Sequence, residues 1–126
     1  MRHFLKLSDL NKKELLYLFK RTRQIKHDFK IQKKNISLMH RILVMIFEKQ
    51  STRTRLSFET GIRQMGGSAI YLNNRDTQLG RGETIEDSAK VISRMCDLIM
   101  IRTFEQEIIQ KFADNSVVPV INGLTN

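Results

Sequence analysis

The chain has one cysteine, one proline, no tryptophan and only six glycines among its 126 residues. Cys96 standing alone excludes an internal disulfide and a cysteine-built metal site. Few prolines and glycines, with 40% hydrophobic and 28% charged residues, exclude a linker or disordered tail. Long apolar runs are missing too. The longest, Ile42 to Phe47, is far too short to cross a bilayer. The opening Met1-Arg2-His3-Phe4-Leu5-Lys6 has no apolar core and no small-residue cleavage site, so a cytoplasmic protein is expected. The length suits one compact domain with a modest core.

What the chain does have is positive charge, a net +9. Its distribution speaks against a nucleic-acid-binding protein. Residues 1–41 carry twelve Lys and Arg against Asp9, Glu14 and Asp28, while the rest of the chain carries equal numbers of both signs. The excess is a solvated basic face of the N-terminal region. Aromatic interleaving of the kind that stacks bases is missing there, because Phe19 and Phe29 fall on an apolar stripe.

Periodicity places the elements. Residues 11–29 read as an amphipathic helix, opened by a capping box of Asn11 and Glu14. Its stripe is Leu15, Leu18, Phe19, Thr22, Ile25, Lys26 and Phe29. Residues 30–41 read as a polar loop. Ile42 to Phe47 runs apolar without alternation, as a strand covered on both faces does. Thr52 to Met65 fits a helix, with Leu56, Glu59, Ile62 and Met65 spaced along it and Gly66-Gly67 as a stop. Strands follow at Ser68–Asn73, Leu98–Arg102 and Val117–Ile121. A helix opened by Thr84 and Asp87 carries Ile85, Ala89, Ile92 and Met95 on its apolar face. A shorter helix covers Glu105–Asn115. The alternation predicts an α/β domain over residues 1–126, an open parallel sheet of about four strands with helices on both faces.

In such sheets ligands bind beyond the carboxyl ends of the strands. Those segments are Glu48–Thr54, Asn73–Glu83, Arg102–Phe104 and Asn122–Asn126. Ser51-Thr52-Arg53-Thr54-Arg55 is the sharpest pattern among them. A helix N-terminus presents free N–H groups and partial positive charge, three hydroxyls add donors, and a guanidinium matches two phosphate oxygens. Arg53 and Arg55 diverge on a helix, so Arg53 is assigned to the anion and Arg55 to an ion pair with Glu59. His3, His27 and His40 precede the first core strand and none is expected to be catalytic. Cys96 is expected to be a small core residue. Glu83, Glu86 and Asp87 could suggest a cation cluster, but acids are favoured at a helix start in any case; no metal is assigned.

Phe47-Glu48-Lys49-Gln50, Ser51 to Arg55 and Ser57-Phe58-Glu59 together resemble the carbamoyl-phosphate signature of the aspartate and ornithine carbamoyltransferases. The likeness continues through Gly66-Gly67, through Asp76-Thr77-Gln78-Leu79-Gly80-Arg81-Gly82-Glu83 and Asp97 to Arg102, and ends at Val118 to Asn126. Gln78-Leu79-Gly80 and Ile101-Arg102-Thr103-Phe104 look like the ornithine branch, and residues 77–83 lack the serine and lysine expected of an aspartate enzyme.

The resemblance implies transfer of a carbamoyl group from carbamoyl phosphate to the δ-amine of ornithine, giving citrulline and phosphate, with a weak lean to arginine biosynthesis. It places Ser51, Thr52, Arg53 and Thr54 on the phosphate, and Thr54 and Arg102 on the carbonyl oxygen. Arg53, Thr54 and Arg102 are thus the catalytic candidates. Gln78 would contact the same ligand from a neighbouring protomer of a trimer. No metal or organic cofactor is implied.

The chain stops near where the family carries a His-Pro-x-Gln segment and lacks the ornithine-binding domain. The isolated chain is therefore expected to be a fragment, inactive alone, that meets ornithine only with the missing domain. Its last strand is expected to leave a sheet edge uncovered. Alternatives are a non-catalytic phosphate-binding or subunit-interaction module, and a carbamoyltransferase for putrescine or aspartate.

Overall fold

The computed structural model describes residues 1–73 and 82–123. A short 3-10 turn, Leu7–Asp9, precedes helix α1 (Lys12–Lys30). There follow β1 (Ile42–Phe47), α2 (Thr52–Gln64), β2 (Ser68–Asn73), α3 (Ile85–Ser93), β3 (Leu98–Arg102), α4 (Gln106–Asp114) and β4 (Val120–Asn122). The four strands lie parallel in the order β2-β1-β3-β4. The expected α/β architecture is therefore present. The chain leaves β1 towards one side and returns on the other, which makes the gap between β1 and β3 the switch point of the sheet.

Burial follows the apolar runs. Five of the six residues of β1 are buried, as a strand paired on both edges and covered on both faces requires. One face of the sheet packs Val44, Ile46, Ile99, Ile101 and Val120 with Ala89 of α3 and Ile109, Phe112 and Ala113 of α4. The other face packs Leu43, Met45, Phe47 and Met100 with Ile62 and Phe58 of α2. Helices thus cover both faces. Cys96 belongs to the first cluster, where its thiol donates to the Ile92 carbonyl at 3.4 Å and burial pushes it up to about 11. It is a small core residue, as expected.

Four details depart from the sequence reading. Helix α1 begins with the expected capping box, Glu14 N–H donating to Asn11 Oδ1 at 2.8 Å and Asn11 N–H to Glu14 Oε1 at 3.1 Å. None of its residues is buried, however. Its apolar stripe borders an open groove beside α2 in which Leu18 and Thr22 face Phe58, Ile62 and Met65. On α2 the buried face is carried by Ile62 and Phe58, while Leu56 points to solvent. Met95 is exposed because α3 ends at Ser93, before the periodicity reaches it.

The fourth is β4, which starts at Val120 and not at Val117. The Ser116 hydroxyl takes the Val118 N–H at 3.2 Å and donates to the Val118 carbonyl at 2.7 Å, a local turn that competes with the ladder. Pro119 has no N–H to offer, so pairing enters through its carbonyl, which accepts from Ile99 N–H at 3.0 Å. Only from Val120 can both groups pair.

The edge of β4 is not left open. Residues 3–5 run beside it as a strap, a correction to the expected bare edge. Phe4 pairs in parallel with Ile121; its N–H donates to the Val120 carbonyl and its carbonyl accepts from Asn122 N–H, both at 2.8 Å. His3 Nδ1 accepts the Val120 N–H at 2.9 Å. Asp9 locks the strap's exit by accepting Leu5 N–H at 2.8 Å and Lys6 N–H at 3.1 Å.

The His3 bond needs an unprotonated Nδ1. Burial pushes the imidazole below its ordinary value and the N-terminal ammonium adds to this, against the opposing pull of Asp114 and Asp9. A group held low in this way contributes stability that is complete above its unfolded value and is lost as pH falls through the folded one. The denaturation midpoint is therefore expected to fall as pH drops below the ordinary imidazole value of 6.5. The substitution His3→Ala should lower the midpoint at neutral pH and flatten that decline. An identical decline in the variant would contradict this role.

Candidate functional site

The switch point gathers three of the four carboxyl-end segments. Ser51 caps α2, its Oγ accepting the Thr54 N–H at 3.3 Å. The helix therefore starts at Thr52, with the first N–H groups of the helix lacking intrahelical acceptors. Ser51 Oγ also donates to Thr54 Oγ1 at 2.9 Å, and Thr54 Oγ1 accepts from Arg102 Nη1 at 3.2 Å. With Oγ1 accepting twice, the Thr54 hydroxyl proton points elsewhere. Arg102, at the end of β3, donates from the same nitrogen to the Gly123 carbonyl at 3.1 Å. The segments after β1, β3 and β4 thus meet on one guanidinium.

Arg102 is not a strand-end salt bridge. Among the described residues both of its partners are neutral, and its Nε is buried without an acceptor. A cation left short of acceptors beside a helix N-terminus marks a place where an anion would be favoured. Arg53 is exposed on the first turn and makes no hydrogen bond or ion pair among the described residues. Thr52 lies beside it, exposed.

Arg55 takes the structural role expected of it, with additions. Its Nε lies 3.8 Å from Glu59, which also pairs with Arg63 at 3.9 Å. Its guanidinium stacks over the Tyr71 ring at 3.8 Å from the centroid. That stack ties the first turn of α2 to β2, because Tyr71 packs in turn against Phe47 at 5.3 Å between centroids. The loop between β1 and α2 is held from the other side by Glu48. Its N–H donates to the Arg102 carbonyl at 2.8 Å, and its carboxylate accepts from the hydroxyl of the fully buried Thr103. Lys49 sits over the Phe104 ring at the rim, 5.6 Å from its centroid.

Sequence reasoning missed Gly123, Thr103 and Tyr71. Thr103 and Gly123 lie inside segments that the topology had marked, so their neighbourhood was predictable. The contribution of Gly123 is a backbone carbonyl, which no side-chain pattern reports. Gln78 falls outside the described residues, as does the end of the last segment, residues 124–126. Among the described residues no cluster of three or more metal-ligating side chains occurs, and no helix is long and apolar enough to cross a membrane.

A helix N-terminus, hydroxyls and two arginines meet at the switch point of an open parallel sheet, surroundings of the class that favour a phosphate-type anion. The comparisons agree with that class and narrow it. Residues 2–126 match the aspartate/ornithine carbamoyltransferase, carbamoyl-P binding domain. The ornithine carbamoyltransferase of Methylobacillus flagellatus is 67% identical over the whole chain, and that of Dechloromonas aromatica 66%. The crystal structure of the ornithine carbamoyltransferase from Burkholderia thailandensis superposes with a TM-score of 0.96 at 60% identity, covering all of this chain and 43% of that one. The chain belongs to the aspartate/ornithine carbamoyltransferase family, as a carbamoyl-phosphate-binding domain. It spans 41% of the length of each of the two curated relatives.

Proposed function

We propose that this chain binds carbamoyl phosphate at the β1–β3 switch point and serves in transfer of the carbamoyl group to the δ-amine of ornithine. The observation that carries the reading is the Arg102–Thr54 hydrogen bond beside the Ser51-capped start of α2. Phosphate oxygens would lie on the N–H groups of Thr52 and Arg53 at the start of α2, on the hydroxyls of Ser51, Thr52 and Thr54, and on the exposed guanidinium of Arg53. The carbonyl oxygen would face Thr54 and Arg102. When a neutral amine adds to the carbonyl carbon, negative charge grows on that oxygen, and donors already in place favour the tetrahedral state over the substrate. Collapse of that state breaks the carbon–oxygen bond to phosphate, which leaves carrying the proton the amine gives up while the α2 N-terminus and Arg53 take its remaining charge.

Ornithine as acceptor is supported by the relatives at 67% and 66% identity, both ornithine carbamoyltransferases. A trimer in which Gln78 serves a neighbour's site, a cytoplasmic setting, and residues 1–126 as one carbamoyl-phosphate-binding domain belong to the same proposal. The test is calorimetric titration of carbamoyl phosphate, with inorganic phosphate as control, into the chain and an Arg53→Ala variant. One charge-assisted contact is worth about 1.5–3 kcal/mol, so the variant should bind roughly ten- to a hundredfold more weakly. Saturable binding that is indifferent to Arg53, or no binding by a folded chain, would overturn the placement.

A further inference from the structure

The strap and the site are joined through one side chain. Asn122 closes β4, its N–H on the Phe4 carbonyl and its amide Nδ2 on the Leu5 carbonyl, each at 2.8 Å. Leu5 is buried in the core, and Asp9 clamps its N–H, so the acceptor is fixed. The next residue, Gly123, donates its N–H to the Ile101 carbonyl at 2.7 Å and offers its own carbonyl to Arg102. A Cβ at Gly123 would lie 2.3 Å from Sδ of the fully buried Met100 side chain, so that side chain packs directly against the glycine.

We propose that Asn122 is a positioning residue: by tying β4 to the Leu5 carbonyl it fixes the Gly123 carbonyl, and with it the Arg102 guanidinium against Thr54. The inference rests on the carbamoyl-phosphate reading for its consequence, which is discrimination. Arg102 lies at the carbonyl end of the ligand and inorganic phosphate has no such end. Loosening Arg102 therefore weakens carbamoyl phosphate and spares phosphate. An amide is required at 122 because a carboxylate of the same shape would set one acceptor against another at the buried strap.

The experiment pairs Asn122→Asp with Asn122→Ala, which removes the donor without adding charge, so that one of them serves if the other fails to fold. In the ligand-free chain, nitrogen-15 spectra of Arg102 should show restricted guanidinium rotation in the parent and faster rotation in either variant. In titrations the variants should lose about tenfold in affinity for carbamoyl phosphate and less than about twofold for inorganic phosphate. Unchanged Arg102 spectra, or equal losses for both ligands, would overturn the inference. If the parent binds neither ligand, the functional reading fails, and the spectra alone still decide whether Asn122 places Arg102.

Discussion

The substitution Phe112→Ala should remove about 3–5 kcal/mol of stability, out of a total of roughly 5–15 kcal/mol for a domain of this kind. Phe112 is the largest of the fully buried side chains. It sits on α4 in one cluster with Ile99 and Ile101 of β3, Val120 of β4 and Ala89 of α3. The cavity cannot collapse easily, because sheet and helices hold its walls from different directions. Urea denaturation followed by circular dichroism measures the effect, with Leu56→Ala as a control at an exposed position of α2. The control should change stability by less than about 0.5 kcal/mol. A loss below about 1.5 kcal/mol for Phe112→Ala would mean that the face under α3 and α4 is not the main core.

The substitution Arg102→Met should have the opposite profile, costing function and not stability. A buried donor without a partner costs about 1–3 kcal/mol, and the Nε of Arg102 is in that position. Among the described residues its other bonds are to a hydroxyl and a carbonyl, with no carboxylate to repay desolvation of the charge. Methionine keeps the aliphatic stem and removes the charge. The denaturation midpoint should be equal to that of the parent or higher, while carbamoyl phosphate affinity falls at least about tenfold. A variant destabilised by more than about 1 kcal/mol would show that Arg102 is held for architecture. Such an exchange of stability for an anion grip is what a prepared site looks like energetically.

Much of the frame was legible in the residues. The runs Ile42–Phe47, Ser68–Asn73 and Leu98–Arg102 became β1, β2 and β3 with the expected bounds; the first and third are apolar stretches that a covered parallel strand buries, whereas β2 is an edge strand with no buried residue. The three-residue β4 was misjudged, since Val117 and Val118 have strand propensity but lose their pairing to Ser116 and Pro119. Helix α1 exposes the limit of periodicity. A stripe says which face of a helix is apolar, not what lies against it. In the site, Ser51 and Thr54 with Arg102 could be anticipated from their place at strand ends. Gly123 and the strap could not, because both act through backbone groups brought together across the length of the chain.

That last separation bears on how the molecule is made. The His3–Val120 and Leu5–Asn122 bonds each join residues 117 apart. During synthesis the first residues leave the ribosome long before β4 exists, and they have nothing to pair with until Asn122 emerges. Contacts of such separation form late and slow the folding of the whole. The seam that seals the sheet thus cannot close before β4 is made, and the Gly123 carbonyl that backs Arg102 arrives with it.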